Sequence, residues 1–142
     1  MKRAFIVSTV FAFALLANTS AAADLNLSIT GVGSQSGQFL ISVFTDGTSW
    51  MKRPISTGIA KVESGGSASV QFELPPGTYG LAVVHDANGD GKINVNALGI
   101  PTEAFGFSKN ARSLFGPPRF NRARFELGEN SKSITIRLNR AN

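Results

Sequence analysis

From residue 25 onward the chain places an apolar residue at every second position, run after run. That period of two constrains the fold more than any other feature. Leu25, Leu27 and Ile29 alternate with Asn26, Ser28 and Thr30, and Ala68, Val70, Phe72 and Leu74 alternate with Ser69, Gln71 and Glu73. Successive side chains of an extended backbone point to opposite faces, so each run buries one side and wets the other. Residues 38–45 (QFLISVFT) are apolar on both faces, with Phe39, Ile41 and Val43 against Leu40 and Phe44, as expected of a central strand. Residues 78–85 repeat this, with Tyr79, Leu81 and Val83 on one face and Ala82 and Val84 on the other. Between them, Ala60 and Val62 mark a short strand ended by Gly65-Gly66. Residues 119–127 predict a further strand with Ala123, Phe125 and Leu127 inward, followed by a hairpin onto Ile134, Ile136 and Leu138. Pro75-Pro76-Gly77 predicts a turn in which proline fixes φ and Gly77 supplies a positive φ. About seven such strands and no convincing helix predict an all-β chain, an immunoglobulin-like or prealbumin-like β-sandwich.

The N-terminus follows a different logic. Lys2 and Arg3 precede an uncharged, mostly apolar run over 4–17, and Asn18-Thr19-Ser20 leads into Ala21-Ala22-Ala23. This is the order of a cleavable secretory signal, and the small residues Ala21 and Ala23 place cleavage after Ala23. The run is shorter than the roughly 20 residues a spanning helix needs. Residues 1–23 are therefore expected to be a signal peptide and 24–142 a single domain, periplasmic or secreted, with no membrane span in the mature chain.

Composition then excludes several kinds of chemistry. The chain has no Cys and one His. Disulfides, a lipoprotein anchor, a thiol nucleophile and a zinc ligand set all drop out. No G-x-S-x-G elbow is present, and the glycine-rich stretches lack the strand-to-helix setting of a phosphate loop. No motif identifies a reaction, so no catalytic residue is assigned. The net charge of +5 includes two basic residues of the signal; without them 12 basic residues face nine acidic ones, a net of +3. In an exported chain that modest excess suits anionic envelope polymers or lipid headgroups, not nucleic acid, or simply a solvated surface.

The most informative segment is 85–94, His85-Asp86-Ala87-Asn88-Gly89-Asp90-Gly91-Lys92-Ile93-Asn94. Asp86, Asn88 and Asp90 stand at spacings 1, 3 and 5, Gly91 at 6, and Lys92 at 7, where a backbone carbonyl would serve. This is the first half of an EF-hand-type calcium loop: a hard cation wants six to eight oxygens, and alternate side chains on a tight curl converge on one point. Position 12 is Ala97 instead of Glu, so a distant carboxylate must complete the shell, and Glu103 is the nearest candidate. The competing reading is two plain turns, because Asn88-Gly89 and Asp90-Gly91 are turn dipeptides in their own right. Both readings stand at this point. His85 ends the Tyr79-Leu81-Val83 face; it is either a packed residue or a metal ligand or base beside Asp86.

Residues 98–118 are long for a structureless connection, a length that often marks function. They carry Phe105, Phe107 and Phe115 with Lys109 and Arg112 between them. Phe105 and Phe107 are expected to tuck the loop against the sandwich, while Arg112 is open to either a structural or a ligand-binding role. Trp50 is expected to plug one end of the core. Arg122, Arg124 and Arg137 are expected to share one outer face.

Taken in order, His85-Asp86-x-Asn88-x-Asp90-Gly91-Lys92, Gly99-Ile100-Pro101-x-Glu103, Phe105-Gly106-Phe107-Ser108, Asn110-Ala111 and Phe115-Gly116-Pro117-Pro118 resemble the bacterial domain-of-unknown-function 2141 family. That resemblance implies a small exported protein and brings no active site with it. Phe72-x-Leu74-Pro75-Pro76-Gly77-x-Tyr79 is similar to a turn of transthyretin-like and carboxypeptidase-regulatory-like sandwiches, which speaks to fold alone. The leading expectation is a non-catalytic binding or structural module of the cell envelope, with calcium held by Asp86, Asn88, Asp90, Lys92 and Glu103, and an envelope polymer or protein as partner. The rival is a metal-dependent enzyme using His85 and Asp86 on a substrate under the 98–118 loop. A third expectation is a binder of anionic glycans through Arg112 and the loop aromatics.

Overall fold

The computed structural model describes residues 21–33 and 36–140. Residues 1–20 of the expected 1–23 signal lie outside the described residues. Eight strands form two sheets: β1 (Ala23–Thr30), β2 (Gln38–Phe44), β3 (Ser56–Lys61), β4 (Ala68–Leu74), β5 (Gly77–Asp86), β6 (Phe105–Phe107), β7 (Phe125–Leu127) and β8 (Lys132–Arg137). One sheet has the order β4-β1-β8 and the other β3-β2-β5-β6, with β7 also on β5. The all-β sandwich read from the period-two rhythm is the observed architecture. Among the described residues no helix is long and apolar enough to cross a membrane.

The inward rows meet between the sheets. Leu25, Leu27 and Ile29 face Phe39, Ile41 and Val43 and Leu81 and Val83, all buried, with Phe125, Leu127 and Ile136 closing the same core. Burying a side chain of this size contributes about 2 kcal/mol, and this core is the main source of stability in a chain with no disulfide. Ala23, the last residue of the expected signal, is itself buried and pairs with Leu74 as the first residue of β1.

Four expectations change. First, β7 and β8 do not form a hairpin: β7 pairs antiparallel with β5, and β8 pairs parallel with β1 in the opposite sheet. The polar turn after Leu127 carries the chain across the sandwich. Second, residues 119–127 are not one strand, because Phe120–Ala123 is a short helix, α1. The turn of helix swings Phe120 against Trp50 (ring centroids 5.6 Å apart), a contact an extended chain would lose. Arg122 consequently sits on α1, Arg124 caps it, and Arg137 lies on β8 in the opposite sheet, so the three do not form the one strand face expected of them.

Third, Trp50 does not plug the end of the inter-sheet core. It packs with Phe44, Ala82, Phe107 and Ala123 in a second cluster. Alternation along β2 and β5 places that cluster on the outer face of the five-stranded sheet, which is therefore buried on both sides. Gly80 makes this possible, since a Cβ there would lie 2.9 Å from both the Trp50 and Phe120 rings. Fourth, Gly77 does not take a positive φ. The turn is held instead by the Tyr79 hydroxyl, which donates to the Pro75 carbonyl (2.6 Å). Such a tyrosine corner fixes the crossing from one sheet to the other.

Candidate functional site

Two long loops lie at the edge of the five-stranded sheet beside β5, and they hold most of the candidate site residues, with His85 and Asp86 at the end of β5 next to them. The first joins β5 to β6. Its centre is Asp86, fully buried at the end of β5. Asp86 pairs in register with Gln38 on β2, so both side chains share a face, and the Gln38 amide donates to Asp86 Oδ2 (2.8 Å). The backbone N–H of Gly91 donates to the same oxygen (2.8 Å). Those of Gly89 (2.9 Å) and Asp90 (3.2 Å) donate to Oδ1. Gly89 (φ 71°) and Gly91 (φ 74°) adopt left-handed backbone, which curls the N–H groups inward. Two donors on each oxygen match the carboxylate's capacity for about four hydrogen bonds. The Gln38 amide chiefly, with the Gly91, Asp90 and Gly89 N–H groups, holds the Asp86 carboxyl below its usual range against the opposing effect of burial.

The rest of the loop follows the same device. Asn88 Oδ1 accepts from Asp90 N (3.3 Å), and Asp90 Oδ1 accepts from Lys92 N (2.8 Å). Asn96 Oδ1 accepts from Leu98 N (2.9 Å) and Ile100 N (3.1 Å). Glu103 closes the neck, accepting from Ala87 N through Oε1 (3.0 Å) and, more weakly, from Asn94 N through Oε2 (3.5 Å). Asp86, Asn88, Asp90 and Glu103 thus lie along one loop, with backbone N–H groups as their main partners. Among the described residues no group of three or more His, Asp or Glu side chains is placed to hold a metal ion. The loop leaves Ile93, Val95, Leu98 and Ile100 exposed.

His85 and Asp86 are neighbours on a strand and project to opposite faces. His85 is buried, its Nε2 donates to the Ser36 carbonyl (2.9 Å), and its ring tilts against Phe39 (centroids 5.6 Å apart). It lines a cleft of about 400 Å³ with Gly31, Val32, Gly33, Ala104 and Arg140. Among the described residues that lining offers no side-chain hydroxyl, thiol or carboxylate as a reacting partner for the imidazole.

The second loop has a different construction. Ala82 faces Phe107, whereas Tyr79 faces Phe125. Three steps along β5 thus match 18 along its neighbour, so 15 residues leave the ladder. β6 and β7 are two halves of one edge strand, and the excursion between them is pinched at its base. Buried Ser108 accepts from Leu81 N (2.9 Å) and donates to the Ala123 carbonyl (2.6 Å). Asn110 Oδ1 accepts from Arg137 N on β8 (2.8 Å), and Trp50 Nε1 donates to the Pro118 carbonyl (2.8 Å). Phe107 is buried and Phe105 half-buried, as expected, but Leu114 and Phe115 at the far end are 95% and 91% exposed. Arg112 is exposed and donates through Nη2 to Asn139 Oδ1 (2.8 Å).

Sequence reasoning missed three residues that organise these loops. Gln38 reaches Asp86 only through the β2–β5 register, which is a long-range property. Ser108 stands in an ordinary-looking polar step after Phe107. Asn96 carried a visible signal, since an asparagine two residues before a Leu-Gly pair is a common turn former.

The fold and its loops define a small two-sheet β-sandwich module that carries two braced insertions beside β5. The profile of the bacterial family described as "Uncharacterized protein conserved in bacteria (DUF2141)" matches residues 27–135, and the chain belongs to that family. No curated protein and no solved structure matches it.

Proposed function

We propose that this chain is an exported, non-catalytic binding module of the cell envelope, and that its two β5-edge loops form the recognition surface. The observation that carries this reading is the contrast between braced loop bases and open loop tips. Asp86, Glu103 and Ser108 fix where the loops leave the sheet, while Leu114 and Phe115 stand in solvent. A folded module gains nothing in stability from apolar side chains left in water, so such residues on a fixed frame suit a partner surface. The signal-like N-terminus supports export, and the packed, bonded state of His85 favours binding over catalysis. The test is fractionation of bacteria expressing the full chain. The expected result is a processed chain that begins near Ala23 and sediments with the envelope, released by polar substitutions in the loop tips. Recovery of the chain and its variants in the same soluble fraction would contradict the reading.

A calcium site is the second reading, favoured by one observation: side chains at spacings 1, 3 and 5 turn into a single curl with Gly91 at its bend. Calcium would be held by Asp86, Asn88, Asp90, the Lys92 carbonyl and Glu103, and Asp86 would exchange N–H donors for the ion. A melting series with millimolar calcium against chelator separates the two. Saturation a hundredfold above Kd raises stability by about 2.7 kcal/mol, whereas identical curves leave Asp86 as a backbone cap.

A further inference from the structure

We infer that the 108–124 loop is a membrane-docking device that sets Leu114 and Phe115 into the interface of an anionic lipid bilayer; this rests on the binding-module reading and names the partner of its second loop. Charge is the first argument. Between Glu103 and Glu126 the chain carries Lys109, Arg112, Arg119, Arg122 and Arg124 and no carboxylate. All five cations are exposed. Their distribution follows the loop: Arg112 and Arg119 flank the tip, and Lys109 and Arg124 stand at the base, where Ser108 and Ala123 are bonded together. With Lys132 from β8, Lys109 and Arg124 line an open cleft of about 390 Å³ against Phe125, Ile134 and Thr135. Three cations around one hollow suit a phosphate-bearing headgroup.

The apolar tip is the second argument. Leu114 and Phe115 are adjacent and the most exposed large apolar residues described. Ser113 Oγ donates to the Phe115 carbonyl (3.1 Å) and Gly116 takes φ 68°, so the tip turns on its own residues. Buried Pro118, bonded to Trp50, anchors the returning arm. At the base, Lys109 (φ 60°) and Asn110 (φ 49°) hold left-handed backbone without glycine. That conformation is unfavourable for Lys109, though tolerated by asparagine, and persists because Ser108 and Asn110 are bonded into the sheets. A bilayer interface takes up an apolar wedge and rewards surrounding cations, and stable attachment requires two such signals together. The loop supplies both, whereas an anionic glycan would engage the cations and leave the Leu-Phe pair in water.

The experiment is sedimentation of the chain with vesicles of phosphatidylglycerol mixed with phosphatidylcholine, beside vesicles of phosphatidylcholine alone and a dextran sulfate column. The expected result is binding to the anionic vesicles, weakened by added salt. Leu114→Ser with Phe115→Ser should reduce it at least about tenfold, in keeping with loss of two exposed anchors, with melting unchanged. Arg112→Glu with Arg119→Glu, both at exposed positions, should reduce it comparably while leaving the tip intact. Equal binding by the Ser variant, or equal binding to neutral vesicles, overturns the docking assignment. Retention on dextran sulfate without vesicle binding also overturns it but leaves the binding-module reading in place; absence of both, with no envelope association on fractionation, removes the two together.

Discussion

The two loops on the β5 edge reach the same result, a fixed base, by opposite chemistry. The 87–104 loop is organised from within by acids and amides: Asp86, Asn96 and Glu103 gather backbone N–H groups that strands would otherwise satisfy. The 108–124 loop is organised against the sheet, by rings and one hydroxyl: Trp50 and Phe107 from outside it and Phe120 and Ser108 from its own ends clamp it in place. The first loop therefore depends on protonation state, and the second depends on packing. Order in the 108–124 loop is set at its base, which leaves its tip free of structural duty, whereas the 87–104 loop is braced along its length as far as Asn96.

Substitutions at the bases should separate the loops. Trp50→Ala should have the largest global effect, about 3–5 kcal/mol, the usual cost of deleting a buried large aromatic. Amide exchange should accelerate over 108–124 and stay unchanged at Gly89 and Gly91. Parallel acceleration in both loops would show that they are a single unit.

Asp86→Ala should come next and act in the opposite place. It leaves four donors without their acceptor, and exchange at Gly89 and Gly91 should quicken at least about tenfold, since such local opening is set by the bonds removed. The same carboxylate gives the first loop a pH dependence. Its pKa in the folded chain is depressed, so its contribution is complete above the ordinary value of 3.8 and disappears as pH falls through the lower native value. Acid melts of the parent chain should lose stability over that window, and Asp86→Asn should flatten the slope.

Ser108→Ala should cost about 1–3 kcal/mol, because the Leu81 N–H and the Ala123 carbonyl both lose a buried partner. The readout is a denaturant midpoint; a change below the error of the titration would mean that water replaces the hydroxyl. Leu114→Ser with Phe115→Ser should change stability least, within about 0.5 kcal/mol, as exposed positions do. A large loss would mean that the tip packs on the sandwich.

The fold was legible because burial writes itself into alternation. The inward residues of β1, β2, β4 and β5 could be read one by one, since each strand needs only its own sequence to show a wet and a dry face. Pairing was less legible. The opposite-sheet placement of β7 and β8 is decided by where the chain crosses the sandwich, and nothing local to Gly128 or Ser131 encodes it. The helical turn at Phe120 was hidden because its cause, the Trp50 ring, lies far away in sequence. At the site, the sequence itself puts Asp86, Asn88 and Asp90 on one loop, but the partners of these side chains could not be read from it. A carboxylate that meets four N–H donors and one that meets a cation leave the same trace in the sequence, and the choice rests on Gln38, a residue 48 positions away.

Amide hydrogen exchange at Gly91, measured at neutral pH in the presence of chelator, tests most directly the claim that Asp86 itself holds the first loop. Slow exchange that calcium does not alter and that Asp86→Asn accelerates is the predicted result. Rapid exchange in chelator, slowed only when calcium is added, would contradict it.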